Sequence, residues 1–184
     1  MIFHSDMPRK FLTVCALAGI TLTAAAQRIG LKTNALYWAA ASPNVGVELR
    51  LNRHVTLNLE GAFNYFDFSS VASHAIAFTP EARYWLSARP LAGHFVGLMG
   101  LAASYKTDWK DTRHQGEAGG IGATYGYAFV LSSRWSIEAT AGVGALRVRE
   151  KRFDTTGPAP DRPNNRKWIA APLKAGITIT YILR

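Results

Sequence analysis

Cysteine is nearly absent from this chain. The single one, Cys15, lies inside an N-terminal apolar run, so a chain that loses that run has no disulfide and no thiolate chemistry. The small residues that precede a lipoprotein cysteine are missing around it, which argues against a lipid anchor. Carboxylates are scarce, 12 against 21 Lys and Arg, for a formal charge of +9. No apolar run reaches the ~20 residues that a membrane-crossing helix needs. No zinc-finger spacing, RNA-binding signature or helical basic stripe accompanies the positive charge. Nucleic acid is therefore not an expected partner; a basic exported protein meets anionic lipid or glycan.

What is present begins with a leader. Arg9 and Lys10 precede an apolar run over 11–22, and Ala24-Ala25-Ala26 offers a small-x-small cleavage site before Gln27. Residues 1–26 read as a signal peptide cleaved after Ala26, with 27–184 as a single domain. Met7 offers a second start, Met7-Pro8-Arg9-Lys10. Losing Asp6, Arg9 and Lys10 with the leader leaves a charge of +8.

Beyond the leader the apolar period is two almost throughout. Eight strands are predicted, over 28–37, 45–51, 55–66, 75–86, 94–105, 117–131, 135–148 and 168–183. In the second, Val45, Val47, Leu49 and Leu51 alternate with Gly46, Glu48 and Arg50. In the fourth, Pro80 falls on the apolar phase and suggests a bulge or kink. The fifth is apolar or small on both phases, so its facing is ambiguous. Short connections at 52–54, 87–93 and 132–134 fall at one end of such a barrel, and the long polar ones at 67–74, 106–116 and 149–167 at the other. That sorting is characteristic of outer-membrane barrels, and a soluble sandwich has no reason for it. Aromatics gather near strand ends as two girdles: Tyr37, Trp38, Tyr65, Phe66, Tyr105 and Trp168 at the outer end, and Tyr84, Trp85, Phe95, Trp135 and Tyr181 at the inner end.

The last strand places Ile177, Ile179 and Tyr181 on one face and Lys174, Gly176, Thr178 and Thr180 on the other. Lys174, Gly176, Ile179 and Tyr181 resemble the C-terminal sorting signal through which the barrel-assembly machinery takes up outer-membrane barrels. Ile182, Leu183 and Arg184 follow where that signal usually ends on an aromatic. The whole mature segment resembles the OmpA/OmpX-type small barrels. More closely, Leu31-Lys32-Thr33-Asn34, Pro43-Asn44, Pro80-Glu81-Ala82-Arg83-Tyr84-Trp85 and Tyr181 resemble an uncharacterised family of short exported barrels. That family carries a domain-of-unknown-function label and often lies near fimbrial genes. The resemblance implies the fold and no activity.

With the apolar face outward, the inward face carries Lys32, Arg50, Arg83 and Lys174, together with Glu48, Glu60, Glu81 and Glu138. An eight-stranded barrel is just wide enough for side chains to fill it. Eight charges there must pair, since each is costly alone. The alternatives are an ion path and a salt-bridge plug, and the even balance favours the plug. Glu48 with Arg50, and Glu81 with Arg83, each lie two apart on one strand. Lys32 and Lys174 are expected as neighbours across the β-seam, with Glu48 and Glu138 as their nearest carboxylates. Gly30, Gly46, Gly120, Gly122, Gly126, Gly142, Gly144 and Gly176 leave room beside them.

Catalysis finds little support. Ser69, Ser70, Ser73, His74, Asp108, Asp111 and His114 could supply a nucleophile, base and acid, but polar loops hold such residues anyway and no nucleophile elbow occurs. His74 and His114 lack the paired carboxylates of a metal site. His54 and His94 fall at the short-turn end and read as interfacial. Gly119-Gly120-Ile121-Gly122 reads as glycine in a strand, so no cofactor is expected. The last loop, with Arg149, Lys151, Arg152, Arg162, Arg166 and Lys167, reads either as a solvated loop or as a contact for lipopolysaccharide phosphates or another anionic surface.

The expectation is an all-β, eight-stranded antiparallel up-and-down transmembrane β-barrel after a signal peptide, in the outer membrane of a Gram-negative bacterium. It is expected to be non-conducting and not an enzyme, with a structural, adhesion or surface-interaction role. Its partners would be outer-membrane lipid and lipopolysaccharide, the assembly machinery through 174–181, and a surface or fimbrial protein. The competing classes are a lipid-modifying barrel enzyme acting on lipid A or phospholipid and a soluble periplasmic β-protein.

Overall fold

Alternation of apolar and polar residues can be satisfied on both faces only if a sheet encloses one of them, and here the sheet closes on itself. The computed structural model describes residues 29–68, 71–87, 89–109, 112–154 and 165–183. The strands are β1 (Ile29–Asn34), β2 (Asn44–Arg50), β3 (Val55–Phe68), β4 (Val71–Trp85), β5 (Gly93–Trp109), β6 (Thr112–Val130), β7 (Trp135–Asp154) and β8 (Asn165–Leu183). They form one closed barrel in sequence order, each antiparallel to the next. The seam joins β1 to β8, Ile29 opposite Leu183 and Asn34 opposite Thr178. The ring is closed through the short β1, which pairs with β8 over 178–183 only, so the longer strands rise above it.

The interior is polar and the exterior apolar. Ile76, Leu98, Ile121 and Val143 are 65–68% exposed, whereas Glu48 and Arg83 are 0 and 1% exposed. β5, ambiguous in sequence, points Phe95 and Met99 inward and Val96 and Leu98 outward.

Several elements differ from the pattern in the sequence. The first strand stops at Asn34 rather than Tyr37, and a short helix, α1 (Ala35–Ala39), follows. Asn34 caps it, its side chain accepting a hydrogen bond from the Leu36 amide at 3.1 Å. Good helix formers behind a capping Asn outweigh the apparent alternation. Stretches expected as long loops are largely paired: β3 and β4 run to Phe68 and Val71, and β5 and β6 to Trp109 and Thr112. Polar residues on both faces end the period-two signal, but the backbone ladder does not depend on it.

Pro80 produces no bulge. Phe78 pairs with Ala102 and Glu81 with Met99, so the register is kept across a gap in the β4–β5 ladder. The irregularity lies in β8, where Gly142 pairs with Lys174 and Val143 with Pro172, leaving Leu173 as an extra residue. That bulge reverses the facing of β8. Lys174, Gly176, Thr178 and Thr180 are buried below it, while Arg166, Trp168 and Ala170 are exposed above it.

The aromatic girdles also need correction. Trp85 and Phe95 point inward and are fully buried, with Leu91 and Ala128, in a cluster that fills the short-turn end of the lumen. Their ring centroids are 4.8 Å apart. Tyr84 and Trp135 do face outward, 52 and 47% exposed. Gly126 makes room for the inner pair, because a Cβ there would overlap the Phe95 ring.

Candidate functional site

The most organised chemistry in the molecule is the charged layer at mid-lumen. It begins with two facts of topology. β1 lies between β2 and β8, and β8 lies between β1 and β7. An inward lysine on β1 therefore stands between inward carboxylates of β2 and β7. Lys32 Nζ donates to Glu48 Oε2 at 2.6 Å and to Glu138 Oε2 at 2.7 Å.

Arg83, on β4, reaches the same two carboxylates from across the lumen. Its Nη1 is 3.1 Å from Glu48 Oε2 and 2.9 Å from Glu138 Oε2. Its Nη2 bonds Glu81 Oε2 at 2.8 Å. Glu81 Oε2 in turn accepts from Lys174 Nζ at 2.9 Å, and Lys174 continues to Glu60 Oε2 at 3.0 Å. One chain of contacts thus runs from Lys32 through Arg83 to Lys174 and Glu60.

Hydroxyls and amides occupy the second carboxylate oxygens. Thr56 donates to Glu48 Oε1 at 2.5 Å, Thr124 to Glu81 Oε1 at 2.6 Å and Thr140 to Glu138 Oε1 at 2.8 Å. Asn44 Nδ2 donates to Glu60 Oε1 at 2.7 Å. Phe95 lies under the Arg83 guanidinium, 4.5 Å from ring centroid to Cζ. Thr56 also accepts from Trp85 Nε1 at 2.9 Å, which ties the charged layer to the aromatic plug below it. Among the described residues, two buried side-chain atoms have no hydrogen-bond partner, Arg83 Nε and Asn58 Oδ1.

Seven of the eight charges read from the sequence are in this network. Arg50 is the correction: its Nε donates to the Asn52 carbonyl at 3.2 Å, in the turn after β2, and it joins none of the lumen ion pairs among the described residues. Charged side chains at a strand end reach water more cheaply than a buried partner. The layer consequently holds three cations and four carboxylates. Lys32 and Lys174 are not seam neighbours either. Lys32 stands opposite Thr180, and Lys174 lies farther along β8, opposite Gly142. Lys174 is thereby served by Glu60 and Glu81, while Glu48 and Glu138 hold Lys32 and Arg83.

Alternation in the sequence gives no hint of α1 and Tyr37 above this layer. Tyr37 lines a cavity with Ala62 and Asn64 of β3 and Ala75 and Ala77 of β4, and burial, with Glu60 adding to it, pushes its hydroxyl above the ordinary pKa. α1 is held there through Asn34, whose Nδ2 donates to the Ala175 carbonyl at 3.2 Å. Gly176 is required by that contact, because a Cβ on it would overlap the Asn34 amide.

The ladders give the backbone positions of the residues weighed for catalysis. Ser73 pairs with Thr107, and Thr107 with His114, so Ser73 and His114 are two strand spacings apart, about 9.6 Å. His74 is exposed and paired with Lys106, and Asp108 pairs with Ala72 and Arg113. Ser69, Ser70 and Asp111 lie outside the described residues, as do the leader 1–26 and Arg162. Of the basic residues read as an anionic contact, Arg149 and Arg166 face each other across β7 and β8, and both are exposed. Lys167 is exposed and Lys151 half-buried, and Arg152 belongs to β7.

Comparison with curated proteins and with solved structures finds no match. A family model matches residues 11–183, nearly the whole length. The chain therefore belongs to that family, DUF3575, which is described as a protein of unknown function.

Proposed function

We propose that this protein is an outer-membrane barrel, exported by a cleaved leader, whose lumen is closed to ions by its own charges. It serves the cell envelope as a rigid scaffold with a structural, adhesion or surface-interaction role, through outer hairpins that meet a surface or fimbrial partner. The observation that carries the reading is the inverted distribution of polarity. Large apolar side chains cover the outside at 38–68% exposure, while the carboxylates and cations of the lumen layer are enclosed. Water-soluble proteins bury the first kind and expose the second. A closed barrel with an apolar outer surface suits lipid, because each strand bonds to both of its neighbours around the ring.

The same features disfavour a soluble periplasmic β-protein, which would leave that surface in water. Closure to ions is supported by the chain of contacts from Lys32 to Glu60, with the Trp85–Phe95 cluster below it and Tyr37 above. Fractionation and planar-bilayer recording test the reading together. The expected results are a heat-modifiable species in the outer-membrane fraction and no steady conductance. Recovery of cleaved protein in the soluble periplasm would remove the membrane part of the proposal, and a stable ion-selective current would remove the plug.

A further inference from the structure

We propose that the outward face of β6, β7 and β8, near the outer hairpins, is a binding site for a phosphorylated lipid. The proposal rests on the outer-membrane reading above. A groove of about 500 Å³ runs there, lined among others by Glu117, Gly119, Ile121, Ala145, Arg147 and Trp168. The register explains its composition. Glu117, Arg149 and Arg166 lie side by side across the three strands. The next outward row is Gly119, Arg147 and Trp168, and the one below it is Ile121, Ala145 and Ala170. The floor of glycine, alanine and isoleucine is low and apolar. Arg147 and Arg149 line its upper end, Arg166 stands opposite Arg149 on β8, and Glu117 is the one carboxylate on those rows.

Like charges directly opposite in a sheet destabilise it. Arg149 opposite Arg166 is such a pair, and an anion seated between them would reverse the sign of the interaction. Guanidinium forks match phosphate oxygens in pairs. The Arg147 guanidinium already lies over the Trp168 ring, 5.7 Å from its centroid, so it is held beside the groove.

Depth agrees with the chemistry. From the aromatic Trp135 at the short-turn end to Arg147, roughly a dozen residues of tilted strand rise about 30 Å, against an apolar band about 25 Å tall. Arg147 and Arg149 thus stand at headgroup level, and Ile121 and Ala145 at the level of acyl chains. A free phosphate would leave the apolar floor unused; a phosphate carrying an acyl chain uses both parts.

The bulge at Leu173 builds this site. Without it the alternation of Lys174 and Gly176 would continue, and Arg166 and Trp168 would turn inward. The extra residue puts them outward, beside Arg147 and Arg149.

The test uses the full-length protein refolded into micelles, with native mass spectrometry reading retained lipid. The probes are diphosphoryl lipid A, its dephosphorylated form and the acyl-free sugar bisphosphate. One diphosphoryl lipid should be retained, and the other two probes should not. R147Q/R149Q should lower retention at least about tenfold, since charge-assisted hydrogen bonds to phosphate are the strong ones. Gly119→Trp, which fills the groove and leaves the arginines, should lower it comparably. Glu117→Gln should raise it, a gain that a misfolded variant cannot give. Equal retention by the unmodified protein and R147Q/R149Q, or retention of the acyl-free sugar bisphosphate, would overturn the proposal. All proteins are first checked for insertion into liposomes. Failure of the unmodified chain to insert overturns the membrane reading, whereas insertion without lipid retention overturns this inference alone.

Discussion

Arg83 and Glu138 stand three strands apart on the ring, on β4 and β7, and meet at 2.9 Å inside it. The contact crosses the lumen, so it links walls that share no backbone hydrogen bond. Removing the cation, as in Arg83→Met, leaves Glu48, Glu81 and Glu138 with only the two lysines. Breaking one side of a buried pair costs about 3–5 kcal/mol, less where water enters. The expected outcome is a loss of about that size in urea unfolding from liposomes. Glu138→Gln in the same chain should recover part of it, giving a coupling energy in the double-mutant cycle.

Arg50 provides the contrast. It lies on the inward phase of β2 but bonds its own turn. Arg50→Gln should change stability by less than about 0.5 kcal/mol in the same unfolding experiment, as surface substitutions do. A loss comparable to that of Arg83→Met would place Arg50 within the buried network.

The tryptophans should report the inside and outside of the wall separately. Trp135 and Trp168 are 47 and 67% exposed on the outer surface, and Trp85 is fully enclosed. In single-tryptophan variants reconstituted with lipids brominated on their acyl chains, Trp135 and Trp168 fluorescence should be quenched and that of Trp85 should not. Quenching of none of the three would contradict lipid contact.

Gly126→Val tests the packing of the inner plug. The added side chain must displace the Phe95 ring, and overpacking of this kind costs about 1–3 kcal/mol. Phe95→Ala should lower the penalty of Gly126→Val, because it removes the atoms that the valine meets. Equal penalties in both backgrounds would show that Phe95 is not the obstacle.

Asn34→Ala should release α1. It removes both the cap on Leu36 and the bond to Ala175, and loss of an N-cap costs about 1 kcal/mol. Faster hydrogen exchange at the Ala40 and Ser42 amides, which bond back to Leu36 and Tyr37, would register the change.

The strands and their inward charges were legible because a barrel wall imposes a strict period of two, and Glu48, Glu81, Arg83 and Glu138 obey it. Legibility failed where another constraint replaced that period. At Asn34 a cap turned the chain into a helix, although the alternation runs on to Tyr37. At Leu173 one extra residue reversed the facing of half a strand, and nothing in the spacing of Trp168 and Lys174 distinguishes a bulged strand from a straight one. Arg50 has the right phase, but its side chain stands at the barrel end, where water competes with the buried carboxylates. The groove beside Arg147 and Trp168 depends on which residues of three strands stand opposite one another, and register is not written in any single strand.

The seam between β1 and β8 has a kinetic side. Its pairs, such as Ile29 with Leu183, join residues as far apart in the chain as any in the ring. Closing so long a loop carries the largest entropic cost, so the seam is expected to form late. Lys174 belongs to that final strand, and until it docks Glu60 lacks the one cation paired with it among the described residues and Glu81 one of its two. An open intermediate therefore has two cations against four carboxylates along its inner wall, and closure with Lys174 reduces that excess. The lysine serves as a latch, coupling completion of the ring to a lower charge excess in its interior, and it favours the fully closed barrel over any partly zipped sheet.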